Sequence, residues 1–193
     1  MTRKLKIIEH ISLDGVIQNT GEGDFPHGDW TAPYRTPEGR EATLAAHGET
    51  FDLLLGRRTY EAWSGFWPKA PSSPMADRLN AATKFVVTHR PESLEWGPFQ
   101  DVGPDIVAGI RRIKSHDGPD LILSGSSTLT STLLEYGLAE EVLLAVYPVL
   151  LGTGKRFFAK GTPPRSFELA STKSFPSGII FTAYKVAGAL KTG

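Results

Sequence analysis

Cysteine is absent from the 193 residues. That one absence removes disulfide cross-links, thiolate metal sites and a cysteine nucleophile together. Neither charge is in excess: 21 Lys and Arg balance 21 Asp and Glu, for a formal net charge of zero. That argues against general binding to nucleic acid or to an acidic membrane surface, which rests on surplus cations. It leaves open a small anion held by two or three local arginines. Long apolar runs are missing too. The stretch after the basic start 1–6 is broken by Glu9 and His10, whereas a signal peptide needs a longer unbroken run and a membrane helix about 18 residues. His10, His27, His47, His89 and His116 show no ligand spacing, so no metal site is expected. The composition, 40% hydrophobic and 22% charged, is that of a cytoplasmic globular chain with one core, spanning 1–188 before a short tail, 189–193.

What is present alternates short apolar runs with amphipathic segments, the pattern of an α/β fold. Strands are expected at 5–11, 51–55, 84–88, 121–123 and 141–149. Several are apolar at consecutive positions, as strands covered on both faces are. Helices fit 38–48, 75–82, 105–114 and 128–136, the last stopped by Gly137. Residues 166–174 and 179–186 flank Phe175-Pro176-Ser177-Gly178 and read as an antiparallel hairpin finishing a mainly parallel sheet. The Gly-, Asp- and Pro-rich stretch 15–35 is long enough to be a functional loop or lid. The stretch 92–104 reads as a surface crossing.

Three clusters could carry chemistry. Ser124-Gly125-Ser126-Ser127-Thr128 lies between an apolar strand and a helix, where small residues admit a ligand to the backbone and free N–H groups favour phosphate. A plain capped turn remains open for the same residues. Leu55-Gly56-Arg57-Arg58-Thr59-Tyr60 puts two guanidinium groups and a hydroxyl at another strand end, or makes an exposed charged turn. Val87-Thr88-His89-Arg90 follows the next strand. Ligands of open α/β sheets gather outside the carboxyl ends of strands, so the three clusters agree on one anionic ligand. Asp14, in Ser12-Leu13-Asp14-Gly15, has a structural reason of its own, an Asx-type turn. Trp63 and Trp67 read as core or interface, and Trp30 as a residue able to stack on a heterocycle.

The order of these clusters resembles the dihydrofolate reductase-like superfamily, in particular the branch containing the reductase domain of the riboflavin-biosynthesis deaminase-reductase. The resemblance runs through Ile11-Ser12-Leu13-Asp14-Gly15-Val16-Ile17, then Gly56-Arg57-Arg58-Thr59-Tyr60-Glu61. It is strongest from 124 to 158, with Gly125-Ser126, Gly137-Leu138, Tyr147-Pro148-Val149-Leu150-Leu151-Gly152 and Gly154-Lys155-Arg156-Phe157-Phe158. It implies a three-layer α/β/α fold and NADPH as hydride donor. Gly56, Arg57, Arg58 and Thr59 would hold its phosphates, and Thr88, His89 and Arg90 would surround the adenosine 2′-phosphate. Ser124, Gly125, Ser126, Ser127, Thr128 and Leu129 would meet the pyrophosphate. Ile17 and the backbone near His10 would lie beside the nicotinamide, under a mobile loop from Gly15 to about Trp30.

The resemblance has two breaks. Folate reducers carry an acid shortly after a Trp-x-x-Pro pattern. Here Trp30-Thr31-Ala32-Pro33 is followed by Tyr34 and Arg35, which leaves Glu38 and Glu41 as the nearest acids, on a helix face that can equally be a solvated surface. Folate reducers also place a threonine where this chain has Ala145, which cannot make the bond. The implied function is reduction of a small pyrimidine- or pterin-like heterocycle, phosphoribosylaminouracil- or dihydrofolate-like. Trp30, Tyr34, Arg35, Glu38 and Glu41 would be on the acceptor side, and Arg35 and Arg40 would be available for a phosphate. No deaminase segment with zinc ligands accompanies the domain, so a bifunctional enzyme is not expected. An NADP(H)-binding protein without turnover, or an interaction domain with basic surface turns, are the other readings. A homodimer is expected, using 147–158 and the C-terminal strands.

Overall fold

Strands that are apolar on consecutive residues leave neither face free for water, and the computed structural model, which describes residues 3–19 and 24–190, covers both. In chain order the elements are β1 (Leu5–Ser12), α1 (Pro37–His47), β2 (Asp52–Gly56), α2 (Arg57–Phe66), α3 (Pro74–Ala81), β3 (Lys84–Val87), β4 (Phe99–Asp101), α4 (Ile106–Ser115), β5 (Leu121–Leu123), α5 (Ser127–Glu135), β6 (Glu141–Tyr147), β7 (Arg165–Ser174) and β8 (Ile180–Ala189). They form one eight-stranded sheet in the order β4-β3-β2-β5-β1-β6-β8-β7. The first six in that row are parallel, and β8 and β7 close it as an antiparallel pair.

Side chains alternate across the sheet as strand geometry requires. Leu5, Ile7, Ile11, Leu54, Leu121 and Leu123 meet Ile110 and Ile113 of α4 and Leu129, Leu133 and Leu134 of α5. On the other face Ile8, Leu53, Leu55, Val86 and Ile122 meet Tyr60 of α2 and Leu79 of α3. Each such side chain, fully buried, contributes about 1.5–3 kcal/mol. A third cluster, Trp30, Ala145, Tyr147, Phe175 and Ile179, closes the carboxyl end of β6. The three layers and the antiparallel finish are those expected. Among the described residues no helix is long and apolar enough to cross a membrane.

Two regions differ from expectation. Residues 57–66 form a helix where the sequence shows only arginines at a strand end, so Arg57, Arg58 and Thr59 become the first turn of α2. The stretch 92–104 is not merely a surface crossing, because Phe99–Asp101 pairs with β3 as the edge strand β4. Three residues are too few for a periodicity to show. The turn before β4 is anchored by Lys84, whose buried Nζ donates to the carbonyls of Asn80 (2.7 Å) and Gly97 (3.2 Å) and lies 4.2 Å from the Trp96 ring centre.

Candidate active site

Parallel strands end on the same edge of a sheet, so the order β3-β2-β5-β1-β6 fixes a row of strand ends. Along it come Thr88 to Arg90, then Gly56 to Thr59, then Ser124 to Ser126, then His10, then Tyr147. The three sequence clusters are thus neighbours. Arg57 spans the first two: a terminal guanidinium nitrogen donates to Thr88 Oγ1 (3.5 Å) and to the Arg90 carbonyl (3.2 Å), and Nε donates to Glu61 (2.7 Å). Arg90 also reaches Glu61, at 3.3 Å. The Arg57 hydrogen bond, then the charges of Arg57, Arg90 and Arg58, hold the Glu61 carboxyl below its usual range.

The second and third clusters touch through missing side chains. A Cβ on Gly56 would come 2.7 Å from Ser126 Oγ, and one on Gly125 would come 2.7 Å from Thr59 Oγ1. Gly125 and Ser126 take left-handed φ values of 71° and 59°, which for serine is strained. This turn sets the start of α5. Helices α1, α3 and α4 have their first amides capped by Thr36, Ser73 and Asp105. The two helices that start on this row, α2 and α5, have no side-chain cap, which leaves amide donors and the positive end of each dipole there.

Further along the row, β1 carries two polar residues in succession. Glu9 is 8% exposed. Its carboxylate accepts from the Gly125 N–H and, at 3.3 Å, from the His10 N–H. Burial pushes it up to about 7, against the pull of both bonds. His10 Nδ1 lies 2.8 Å from the Tyr147 hydroxyl. Burial first, then the charges of His47 and Arg35, push His10 down to about 4. Burial raises Tyr147 to about 12, against Arg35.

His10 and Tyr147 line a cavity of about 720 Å³ between the sheet, α1 and the start of α3. Tyr34, Trp67, Met75 and Phe181 give it apolar and aromatic walls, and Arg35, Arg40 and Glu41 are its charged residues. Arg35 is paired with Asp29. Asn19, also in the lining, has a buried Oδ1 without a hydrogen-bond partner among the described residues. A hollow of about 560 Å³ at the other edge of the sheet, around Lys4, Glu141 and Arg165, lacks aromatic walls, and Lys4 there is paired with Glu141.

The residues singled out from sequence divide. Tyr34, Arg35 and Glu41 line the cavity, whereas Glu38 is exposed and outside the lining. Trp30 is outside it as well. It is 9% exposed, donates Nε1–H to the Gln18 carbonyl (2.7 Å) and packs edge-on against Tyr147, so its ring supports the wall instead of facing a ligand. Ser124 donates to the Ile8 carbonyl (2.9 Å) and Leu129 is in the core, so both shape the turn from behind. Ser127 donates to the Arg156 carbonyl. Arg58, His89, Arg90 and Thr128 are exposed on the rim. Ile17 packs on the core and bonds Lys155 through its N–H. Residues 20–23 of the expected lid lie outside the described residues. Asp14 is structural: it accepts from Ser12 Oγ, Leu151 N–H and Gly152 N–H.

Glu9, the His10 side chain, Asn19 and Tyr147 had no place in the sequence reading of the site, and Trp67, read there as core or interface, lines the cavity. A signal existed for the first two: adjacent polar residues inside a strand otherwise apolar on both faces.

The family model of the RibD C-terminal domain matches residues 3–181. Two uncharacterised proteins of Bacillus subtilis are similar. YyaP is 24% identical over 136 residues, 68% of this chain and 72% of its own. YwjB is 26% identical over 179 residues, 93% and 96%. A solved structure of the Thermotoga maritima diaminohydroxyphosphoribosylaminopyrimidine deaminase/5-amino-6-(5-phosphoribosylamino)uracil reductase superposes with a TM-score of 0.68 at 14% identity, over 96% of this chain and 57% of that one. A pyrimidine reductase-like protein of Corynebacterium diphtheriae does so at 0.62 and 13%, over 98% and 93%. At these identities the structures share the fold.

Proposed function

Since the chain belongs to the RibD C-terminal domain family, we propose that it is a reductase that takes hydride from NADPH and reduces a small pyrimidine- or pterin-like heterocycle held in the cavity. One observation carries the reading: a single row of strand ends joins two uncapped helix starts and three arginines to an aromatic-walled cavity.

The residues fit the coenzyme. Amides at the starts of α2 and α5 are the natural partners of its phosphates, and Gly56 and Gly125 keep the two turns close enough to share them. Thr59, Ser126, Ser127 and Thr128 add hydroxyls. Arg57 is already oriented by Glu61, Thr88 and Arg90. Arg58, His89 and Arg90 on the rim suit a 2′-phosphate. A hydrogen bond to a charged group contributes about 1.5–3 kcal/mol, or roughly 10- to 150-fold in affinity. Ile17 and the backbone of His10 would lie beside the nicotinamide. When bound, the coenzyme supplies two electrons and a proton as hydride. The chain holds donor and acceptor in register and keeps water out.

Several features support a heterocyclic acceptor. The volume suits a small ligand, and the rings of Tyr34, Trp67 and Phe181 suit a flat one. The unpartnered Asn19 Oδ1 would accept from a ring N–H or amino group, the donors that pyrimidines and pterins carry. Arg35 and Arg40 would face an anionic substituent. We assign the exposed edge strand β7, with Leu169 exposed on it and Ile180 on the neighbouring β8, to a homodimer contact, which light scattering on the purified protein tests.

Purified protein mixed with NADPH and a panel of dihydrofolate, dihydropterin and aminouracil acceptors should lose absorbance at the nicotinamide band. NADPH at 100 times its dissociation constant should add about 2.7 kcal/mol to stability. Stabilisation without oxidation of NADPH by any acceptor would make the chain a binding protein instead. The exposed Glu38 and Glu41, unlike a buried helix acid, favour that second reading. No stabilisation at all would refute both.

A further inference from the structure

Reduction of a C=N or C=O bond needs hydride at carbon and a proton at nitrogen or oxygen, and the α1 acids are poorly placed to give the proton. Glu38 is outside the cavity and Glu41 is exposed on its lining. Two groups inside are better placed. Tyr147 is 5% exposed, reaches the cavity and keeps its hydroxyl 2.8 Å from His10 Nδ1. The rings of Trp30 and Tyr34 stand edge-on to it, with centroids 5.2 and 5.7 Å away, and fix its direction.

We propose, building on the reductase reading above, that Tyr147 is the proton donor to the acceptor and that His10 reloads it. The acceptor carbon takes hydride from the reduced nicotinamide. The π electrons move to the adjacent nitrogen or oxygen, which takes the Tyr147 hydroxyl proton. The phenolate oxygen is refilled from His10 Nδ1–H as Nε2 takes a proton from solvent. The sum is one reduced nicotinamide, one acceptor and one solvent proton consumed; Tyr147 is restored at once, and His10, left as its Nε2–H tautomer, returns to the Nδ1–H form by exchanging protons with solvent before the next turnover.

The charged and titratable surroundings keep this pair loaded. Around α1 they are Arg35, paired with Asp29, and Arg40, Glu41, His47 and Tyr34; among the described residues Ala145 of β6, Phe181 of β8 and Ile179 just before β8 pack there, none of them charged. Glu9 meets His10 only at its backbone N–H. With burial, Arg35 and His47 hold His10 neutral above about 4, and burial holds Tyr147 protonated below about 12. Hydride transfer is therefore flat between pH 5 and 9. A carboxylic acid donor would instead lose rate as pH rises through its own titration.

Single-turnover oxidation of NADPH by the best acceptor of the panel tests this in wild type, Tyr147→Phe and His10→Gln. Tyr147→Phe should slow hydride transfer about 10²- to 10⁴-fold and abolish the solvent deuterium effect, with the NADPH dissociation constant unchanged. His10→Gln should slow it less and make it dependent on buffer concentration. In the unliganded protein, nitrogen NMR should show the His10 imidazole protonated at Nδ1, with a resonance that moves in Tyr147→Phe. Turnover by wild type and Tyr147→Phe at equal rates would overturn the proposal and leave the reductase reading standing. An unmoved His10 resonance would overturn the relay. A wild type that binds NADPH and reduces nothing would remove the reductase reading, and the proposal with it.

Discussion

Glu9 offers the sharpest energetic test of the site. Its folded-state carboxyl is raised from 4.5 to about 7 by burial, so between those values the folded chain binds a proton that the unfolded chain releases. Stability is greatest below pH 4.5 and falls as pH rises toward 7. At about 1.4 kcal/mol per tenfold change in proton affinity, the loss is about 3 kcal/mol. Glu9→Gln keeps a carbonyl oxygen for the Gly125 N–H and removes the charge. Relative to wild type, the variant should therefore gain about 3 kcal/mol between pH 4 and pH 8, roughly 6–12 °C in Tm for a chain of this size. Urea unfolding of both proteins at half-unit steps across that range measures it. Parallel stability curves, constant in their difference to within about 0.5 kcal/mol, would refute the argument that this carboxylate is buried at a cost.

Arg58→Ala should weaken NADPH roughly 10- to 150-fold and NADH hardly at all. Fluorescence titration with each coenzyme decides it, and equal losses would remove Arg58 from the 2′-phosphate. Gly125→Ala adds a methyl 2.7 Å from Thr59 Oγ1 at a φ of 71°, so it should cost about 1–3 kcal/mol of stability and weaken coenzyme binding. Thermal melts and the same titration check both effects. Asp14 is held at about 2, below its ordinary value of 3.8, first by the Ser12 hydroxyl and then by the Leu151 N–H. Its stabilisation is present above pH 3.8 and lost as pH falls toward 2, and Asp14→Asn should lower Tm at pH 7 and flatten that acid limb.

That the three clusters gather on one row of strand ends was legible because the logic of each is local. A phosphate cradle is made from consecutive residues: small side chains for approach, a left-handed glycine, amides at a helix start. Ser124 to Thr128 carry all of that within one turn of chain, and Gly56 to Thr59 carry a close-packed glycine at an uncapped helix start. The apolar strands were legible for the same reason, since burial on both faces writes itself into successive positions. Less was legible where structure was short or began abruptly. Strand β4 has three residues, and α2 starts on two arginines that mark a strand end without announcing a helix. Trp30 could not be placed from sequence, because a tryptophan behind a tyrosine and one facing a ligand look alike in a string of letters.

The sequence by itself determined the layered α/β architecture, the phosphate-friendly turns and the absence of thiol chemistry. Only the tertiary structure decided which titratable groups meet in the cavity. His10 and Tyr147 are 137 positions apart, and they meet because β1 and β6 pair in parallel with Ser12 opposite Tyr147. Their proton affinities are set by burial and by charges from α1 and its approach, and that of Glu9 by burial against two backbone hydrogen bonds. Desolvation and Coulomb fields sum over neighbours in space, so no pattern along the chain encodes them.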